Sequence, residues 1–173
     1  METSIIVRLS AGDRALMHRC AIAPNAPWLS RTTWTLITHL GGTGPSLLAA
    51  GLPWFACCTL HDASHLALAS LILSHLMVQL VKRTVGRSRP TAVGCVALVR
   101  EPDRFSFPSG HATASMSVAI AYGVLFPVWA LPLFLVAVLV GFSRIRLGVH
   151  YPSDVLVGQG IAVATSAALA VLL

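Results

Sequence analysis

The chain has 173 residues, of which 55% are hydrophobic and 10% charged, and its mean hydropathy is +0.77. Soluble domains carry about 25% charged residues, so this composition excludes an ordinary water-soluble protein and predicts that most of the chain faces lipid. Twelve Lys and Arg against six Asp and Glu give a formal net charge of +6. Because the basic residues lie between apolar segments and no nucleic-acid motif is present, this excess favours a membrane surface or an anionic substrate over a nucleic-acid partner.

The first twenty residues mix charged side chains with loosely spaced apolar ones, which predicts an amphipathic helix at the membrane interface. Five apolar segments follow, each long enough for a bilayer crossing of about 20 residues. They are residues 33–60, 63–85, 109–126, 128–145 and 151–173. A glycine-rich insert at residues 41–45 predicts a kink or a re-entrant turn in the first segment.

These elements predict an all-α fold: an integral-membrane helical bundle of about five transmembrane helices plus the N-terminal amphipathic helix, six helices in all. The length fits one domain over residues 1–173. The expected location is the bacterial inner (cytoplasmic) membrane, which the chain crosses several times.

Alternating spans place the end of the second segment, the start of the third and the end of the fourth on one membrane face. Each of these places carries a polar cluster, and charged groups beside membrane spans are costly and rarely idle. The clusters are Lys82 with Arg89-Pro90, then Pro108-Ser109-Gly110-His111, then Ser143-Arg144 with His150 and Asp154. Their convergence predicts a joint site.

A bound phosphate explains the convergence. Three permanent positive charges come from separate segments: Lys82, Arg89 and Arg144. Guanidinium groups match phosphate oxygens in a bidentate way. Ser109 is placed to cap the third segment, which leaves the amides of Gly110 and His111 free to bind an anion at a helix N-terminus. Gly110 has no side chain where the backbone approaches the ligand.

The histidines supply the chemistry. Asp154 lies four residues after His150, so its carboxylate is expected to fix the tautomer of His150 and leave the other ring nitrogen free as a nucleophile. His111 is the candidate general acid for the leaving oxygen. No metal and no cofactor is expected, because the cations stabilise the charge of the transferring phosphoryl group.

The three clusters match, in order and spacing, the signature of the type 2 phosphatidic acid phosphatase superfamily, which the chain resembles from Lys82 to Asp154. The resemblance implies a helical bundle in which His150 forms a phosphohistidine, His111 protonates the leaving group and Asp154 orients His150. It also implies a set of phosphate-binding residues: Lys82, Arg89, Ser109, Gly110 and Arg144. Many bacterial members have six spans, whereas five plus an amphipathic helix are predicted here.

The favoured function is therefore an integral-membrane lipid phosphatase whose partners are a lipid phosphate and the surrounding membrane lipids. Two other classes stay open: a non-catalytic lipid binder or transporter, and a vanadate-dependent oxidase on the same site. The nucleophile, acid and orienting carboxylate argue against the binder, which needs none of them, and the short, largely membrane-embedded chain argues against the oxidase. The remaining arginines near this face are expected to anchor lipid headgroups: Arg83, Arg87, Arg100, Arg104 and Arg146. The oligomeric state is left open.

The substrate is expected to be an amphiphile with its phosphate at headgroup level. Polyprenyl diphosphate, phosphatidylglycerophosphate, phosphatidic acid and a lipid A phosphate all fit, with undecaprenyl diphosphate first by analogy. All twelve Lys and Arg lie on the predicted active-site face, which favours a cytoplasmic site and hence phosphatidylglycerophosphate or a sugar-phosphate polyprenol. The family resemblance implies the opposite orientation, because members that act on recycled carrier lipid commonly place this site outside.

Overall fold

A computed structural model describes residues 2–56 and 58–172 of the chain, with side chains described for residues 11–56 and 58–171. Within these residues every regular element is helical, which confirms the all-α fold class. The α-helices are α1 (Glu2–Cys20), α2 (Trp28–Leu40), α3 (Thr43–Gly51), α4 (His61–Val85), α5 (Gly110–Leu125), α6 (Pro127–Arg146) and α7 (Pro152–Leu172). Short 3₁₀ turns lie at Leu52–Phe55, Cys58–Leu60 and Pro90–Val93.

Helix α1 lies where the N-terminal helix is predicted, and it packs against the rest of the bundle. Met17 is 0% exposed and lies in one apolar cluster with Ile145, Tyr151 and Val155, at the end of α6 and the start of α7. The Nη1 of Arg146 also donates to the carbonyl oxygen of Cys20 at 2.8 Å. Helix α1 is therefore attached to the two helices that carry the third polar cluster.

The first predicted span is interrupted, as the glycine-rich insert indicated. Helix α2 ends at Leu40 and α3 begins at Thr43, and neither is as long as the roughly 20 residues that a crossing takes. A Cβ on Gly41 would lie 2.8 Å from the carbonyl oxygen of His111. The chain therefore breaks where its backbone contacts the first turn of α5, a contact that only glycine permits.

Helix α5 lies at the centre and packs against α4, α6 and α7. Small hydroxyl side chains join these helices, as expected where lipid supplies no hydrophobic drive for association. Ser74 Oγ on α4 lies 3.1 Å from Ser117 Oγ on α5, and Thr113 Oγ1 donates to the Gly158 carbonyl oxygen on α7 at 2.9 Å. Small residues therefore lie where these helices approach closely.

The outside of the bundle is apolar. On α4, for example, Ile72 and Leu76 are each 60% exposed, which suits contact with lipid. Of the helices that the structure describes, three are long and apolar enough to cross a membrane: Cys58–Val85, Pro127–Arg146 and Pro152–Val171. They correspond to the second, fourth and fifth predicted spans. The third is α5, of 16 residues, and the total of five spans stays a prediction.

Close packing of α7 on α5 gives a prediction with an internal control. A Cβ on Gly158 would lie 2.6 Å from the Ser109 carbonyl oxygen, whereas a Cβ on Gly160 would meet nothing within 4 Å. We expect Gly158→Ala to destabilise the protein by about 1–3 kcal/mol. Gly160→Ala should leave stability unchanged or raise it by about 0.5–1 kcal/mol. Tryptophan fluorescence during thermal unfolding in detergent measures both, and equal midpoints for the two variants would contradict this packing.

Candidate active site

The three polar clusters meet at one end of the bundle, beside a cavity of about 610 Å³. Five of the eight predicted site residues line it: Lys82, Arg89, Gly110, His111 and His150. The other three, Ser109, Arg144 and Asp154, are each at most 2% exposed. The Arg144 carbonyl oxygen accepts from the His150 amide at 3.3 Å, and the Asp154 carbonyl oxygen accepts from the Ser109 amide at 2.9 Å. Segments far apart in the chain therefore converge as the sequence predicted.

Lys82 and Arg89 share one carboxylate, that of Asp103. Lys82 lies in the last turn of α4, and its Nζ donates to Oδ2 of Asp103 at 2.7 Å. The Nη2 of Arg89 donates to Oδ1 of the same carboxylate at 3.0 Å, and its Nε donates to the Asp103 carbonyl oxygen at 2.6 Å. Both cations are at most 5% exposed, whereas the Asp103 side chain is 38% exposed.

Asp103 is ionised over the physiological pH range. Burial by itself would raise the pKa of its carboxyl, but the hydrogen bonds and charges of Lys82 and Arg89 outweigh burial and hold this pKa below its usual value. The carboxylate therefore keeps its charge as the pH falls to the ordinary aspartate pKa, and the ion pairs are lost only below that point. Any other anion that binds Lys82 and Arg89 must compete with it.

Arg144 is the third site cation, and most of its donors are unused. It lies in the last turn of α6, and its Nη1 donates to Thr38 Oγ1 of α2 at 2.9 Å. Its Nε and Nη2 have no hydrogen-bond partner among the described residues, although the side chain is only 2% exposed. Leaving buried charged donors unpaired is costly, so this guanidinium is poised for an anion.

Ser109 takes the predicted N-cap position of α5, but its side chain makes no capping hydrogen bond. The prediction of a side-chain cap is therefore wrong: the buried hydroxyl has no partner among the described residues. The Ser109 amide instead donates to the Asp154 carbonyl oxygen at 2.9 Å, which ties the start of α5 to α7. A Cβ on the next residue, Gly110, would meet nothing within 4 Å, so that position opens to the cavity.

His150 lies just before α7, and Asp154 lies in the first turn of that helix. The two are closely paired but not by a normal hydrogen bond, since Nδ1 of His150 lies 3.5 Å from Oδ2 of Asp154. Catalytic hydrogen bonds are often long without substrate and tighten when it binds. The other ring nitrogen, Nε2, lies 3.4 Å from Nη1 of Arg89. The imidazole thus has the carboxylate of Asp154 on one side and the guanidinium of Arg89 on the other.

The pKa of His150 lies well below its ordinary value, first because the ring is buried and then because the charges of Arg144, Arg89 and Lys82 oppose a further positive charge. His150 is therefore neutral at physiological pH and retains a lone pair. His111, in the first turn of α5, lines the same cavity.

The rest of the cavity runs between α3, α4 and α5 and is mostly apolar, with the polar side chains of Ser46, Ser74 and Gln79 among its lining. Its apolar lining includes Leu47, Leu71, Ile72, Leu76, Val78 and Ala114. Such a shape accepts a hydrocarbon chain whose polar end lies among the cations. Within the described part of the chain, no three His, Cys, Asp or Glu side chains lie close enough to hold a metal ion.

The expectation that Arg87 anchors a lipid headgroup is wrong. Its Nη1 donates to Oδ1 of Asp154 at 2.8 Å, and its Nη2 donates to Oδ2 of Asp13 at 2.7 Å. The same expectation for Arg146 is wrong too, because Arg146 binds the Cys20 carbonyl oxygen. Sequence reasoning also missed Asp103, Asp13 and Thr38 as contacts of the site, and no motif spacing marks them.

Comparisons with known proteins agree with this geometry. A family model described as the PAP2 superfamily matches residues 64–173. The chain is 34% identical over 167 residues to phosphatidylglycerophosphatase B of Bacillus subtilis, covering 87% of this chain and 77% of that protein. It is 42% identical over 94 residues to decaprenylphosphoryl-5-phosphoribose phosphatase of Mycobacterium tuberculosis, covering 54% of this chain and 51% of that protein.

Among solved structures, a transmembrane PAP2-type phosphatidylglycerolphosphate phosphatase from Bacillus subtilis superposes with a TM-score of 0.78 at 27% identity. The superposition covers 95% of this chain and 86% of that one. The chain spans about half the length of the mycobacterial relative that it matches. Together with the three long apolar helices, these likenesses identify a multi-pass membrane protein.

The shared carboxylate gives a prediction about anion affinity. Asp103→Asn removes the charge that competes for Lys82 and Arg89, so inorganic phosphate should bind about tenfold more tightly, equal to about 1.4 kcal/mol. Calorimetric titration of the purified protein in detergent measures this affinity. The matched control is Glu101→Gln in the same segment, whose carboxylate accepts from Thr91 Oγ1. Weaker phosphate binding by Asp103→Asn would show that Asp103 organises the cations and does not compete for them.

Proposed function

The chain belongs to the PAP2 superfamily, and we propose that it is a lipid phosphatase that transfers the phosphoryl group of a lipid to His150 and then to water. The observation that carries the proposal is the environment of His150. A buried, neutral imidazole lies beside three cations, of which two share the carboxylate of Asp103, at the polar end of a mostly apolar cavity. A site that only bound lipid would need the cations but not the His150–Asp154 pair.

In the first step, Nε2 of His150 attacks phosphorus, and the bond between phosphorus and the lipid oxygen breaks. Asp154 stabilises the positive charge that develops on the imidazole through its Nδ1–H. His111 donates a proton to the departing lipid oxygen, which leaves as an alcohol or, from a diphosphate, as a lipid phosphate. The site cations stabilise the negative charge of the phosphoryl oxygens in the transition state.

In the second step, water attacks phosphorus, and the bond between phosphorus and Nε2 breaks. His111, neutral after the first step, takes a proton from the attacking water and so returns to its starting state. Inorganic phosphate leaves, and Asp103 again pairs with Lys82 and Arg89. No step in this cycle requires a metal ion, because the side-chain cations supply the positive charge.

The charge balance of the site favours a phosphate monoester over a diphosphate. Three cations with one carboxylate leave a net of two positive charges, which matches one phosphate dianion. The two relatives compared above are named for lipids whose terminal group is a single phosphate. These lipids are phosphatidylglycerophosphate and decaprenylphosphoryl-5-phosphoribose. We therefore place these two lipid classes first as substrates and polyprenyl diphosphate after them.

The proposal predicts a covalent intermediate on one histidine. His150→Ala should lose phosphate release from phosphatidylglycerophosphate by at least about 10³-fold, since the nucleophile is gone. Rapid quench with ³²P-labelled lipid should trap an acid-labile, base-stable phosphoenzyme in the wild type only. The matched control is His65→Ala, an exposed histidine that packs on Trp54 and should keep full activity.

Activity should also persist in EDTA. Two outcomes contradict the proposal: turnover by His150→Ala at the wild-type rate, and loss of activity in EDTA that magnesium restores. Absence of hydrolysis of every lipid phosphate by folded wild-type protein would favour the lipid binder or transporter.

The orientation of the active site in the membrane can be proposed from the basic residues that make no contact within the site. Among the described side chains, five basic residues form hydrogen bonds within the protein: Lys82, Arg87, Arg89, Arg144 and Arg146. The other seven of the twelve Lys and Arg still lie on the predicted active-site face, which favours the cytoplasmic side of a bacterial inner membrane. A fusion of alkaline phosphatase at Leu173 should then be active and a green fluorescent protein fusion dark. The reverse pattern would place the site outside.

A further inference from the structure

Arg87 links the N-terminal helix to the carboxylate that faces His150. Its Nη1 donates to Oδ1 of Asp154 at 2.8 Å and to Ser153 Oγ at 2.7 Å, while its Nη2 donates to Oδ2 of Asp13 at 2.7 Å. The guanidinium carbon lies 4.0 Å from the centre of the Tyr151 ring. Arg87 is thus held by Asp154, Ser153, Asp13 and the Tyr151 ring.

Asp13 binds the start of α7 directly as well. Its Oδ1 accepts from the Ser153 amide at 3.0 Å, and its Oδ2 accepts from the Ser153 hydroxyl. The first amides of a helix have no partner within the helix, and a carboxylate there also matches the helix dipole. A residue of α1 therefore caps the helix whose first turn carries Asp154.

Arg87, which Asp13 binds, also neutralises the charge of a buried carboxylate. Asp154 is 0% exposed, and an ionised carboxylate in such a place needs a positive partner. Arg87 is the cation that binds it among the described side chains. With Oδ1 on Arg87 and Oδ2 accepting the Tyr151 amide at 2.8 Å, the carboxylate plane is held so that Oδ2 faces Nδ1 of His150.

We propose that Asp13 is a positioning residue for the reaction at His150, acting through Arg87 and Asp154. The inference rests on the proposed role of Asp154 as the partner of His150. Removing the charge of Asp13 frees one end of Arg87 and the start of α7, so the Asp154 carboxylate loses its fixed orientation. Substrate phosphate binds to other residues, and its affinity is not affected.

The kinetic test uses the full chain in detergent. Asp13→Asn should lower kcat about 10- to 100-fold, the scale of a small misplacement of a catalytic group, with KM within about twofold of wild type. The matched control is Asp62→Asn, the same chemical change at an exposed position in the first turn of α4, which should leave kcat unchanged. Asp13→Glu, which keeps the charge, should restore part of the lost rate.

A double-mutant cycle tests the path through Arg87. If Asp13 acts through Arg87, then Asp13→Asn should lower kcat less than about twofold further in an Arg87→Gln background. An equal loss of kcat in both backgrounds would overturn the proposal, as would a raised KM with unchanged kcat.

A second readout needs no substrate and therefore separates this inference from the proposed function. In protein labelled with ¹⁵N-histidine, the His150 signal is the one that His150→Ala removes, and the nitrogen shifts report tautomer and hydrogen bonding. Asp13→Asn should shift the Nδ1 signal of His150 and leave those of His61 and His65 in place. An unchanged His150 signal would overturn the coupling, whether or not the wild type hydrolyses a lipid phosphate.

Discussion

Lys82, Arg89 and Arg144 are each at most 5% exposed, and a buried cation is costly unless an anion or acceptor satisfies it. In this protein the compensation is incomplete: Asp103 serves two of the three, and two donors of Arg144 have no partner among the described residues. The same site holds His150, which is neutral first because it is buried and then because these charges oppose a further positive charge. The uncompensated positive charge therefore attracts an anion and helps to keep the nucleophile neutral and reactive.

The helical bundle fixes the positions of these cations. Helices α4 and α6 bring Lys82 and Arg144 to one end, and α5 and α7 begin there, joined by the hydrogen bond from Ser109 to Asp154. The break between α2 and α3 lets the backbone contact His111 and brings Thr38 to Arg144. Outside this end, the helices carry apolar side chains suited to lipid.

Much of the site could be predicted from sequence because each cluster is a short run at the end of a predicted helix. Alternation of the spans then brought the clusters together. The supporting contacts could not be predicted, because they join residues that no local pattern relates. Asp13 lies 74 positions before Arg87, and Thr38 lies 106 positions before Arg144. The sequence predicts a lipid-headgroup anchor at Arg87 because Arg87 follows the second predicted span, as headgroup-binding basic residues commonly do. Likewise, the glycine-rich insert indicated a break, but its cause is a contact with a helix seventy residues further on.

A structure of the protein with orthovanadate tests the central claim most directly, since vanadate mimics the trigonal-bipyramidal phosphoryl group in transfer. The account predicts a bond from Nε2 of His150 to vanadium, equatorial oxygens on Arg89 and Arg144, and an Asp103 carboxylate displaced from Lys82 and Arg89. Vanadate bound away from His150, or bound while Asp103 still pairs with both cations, would contradict it.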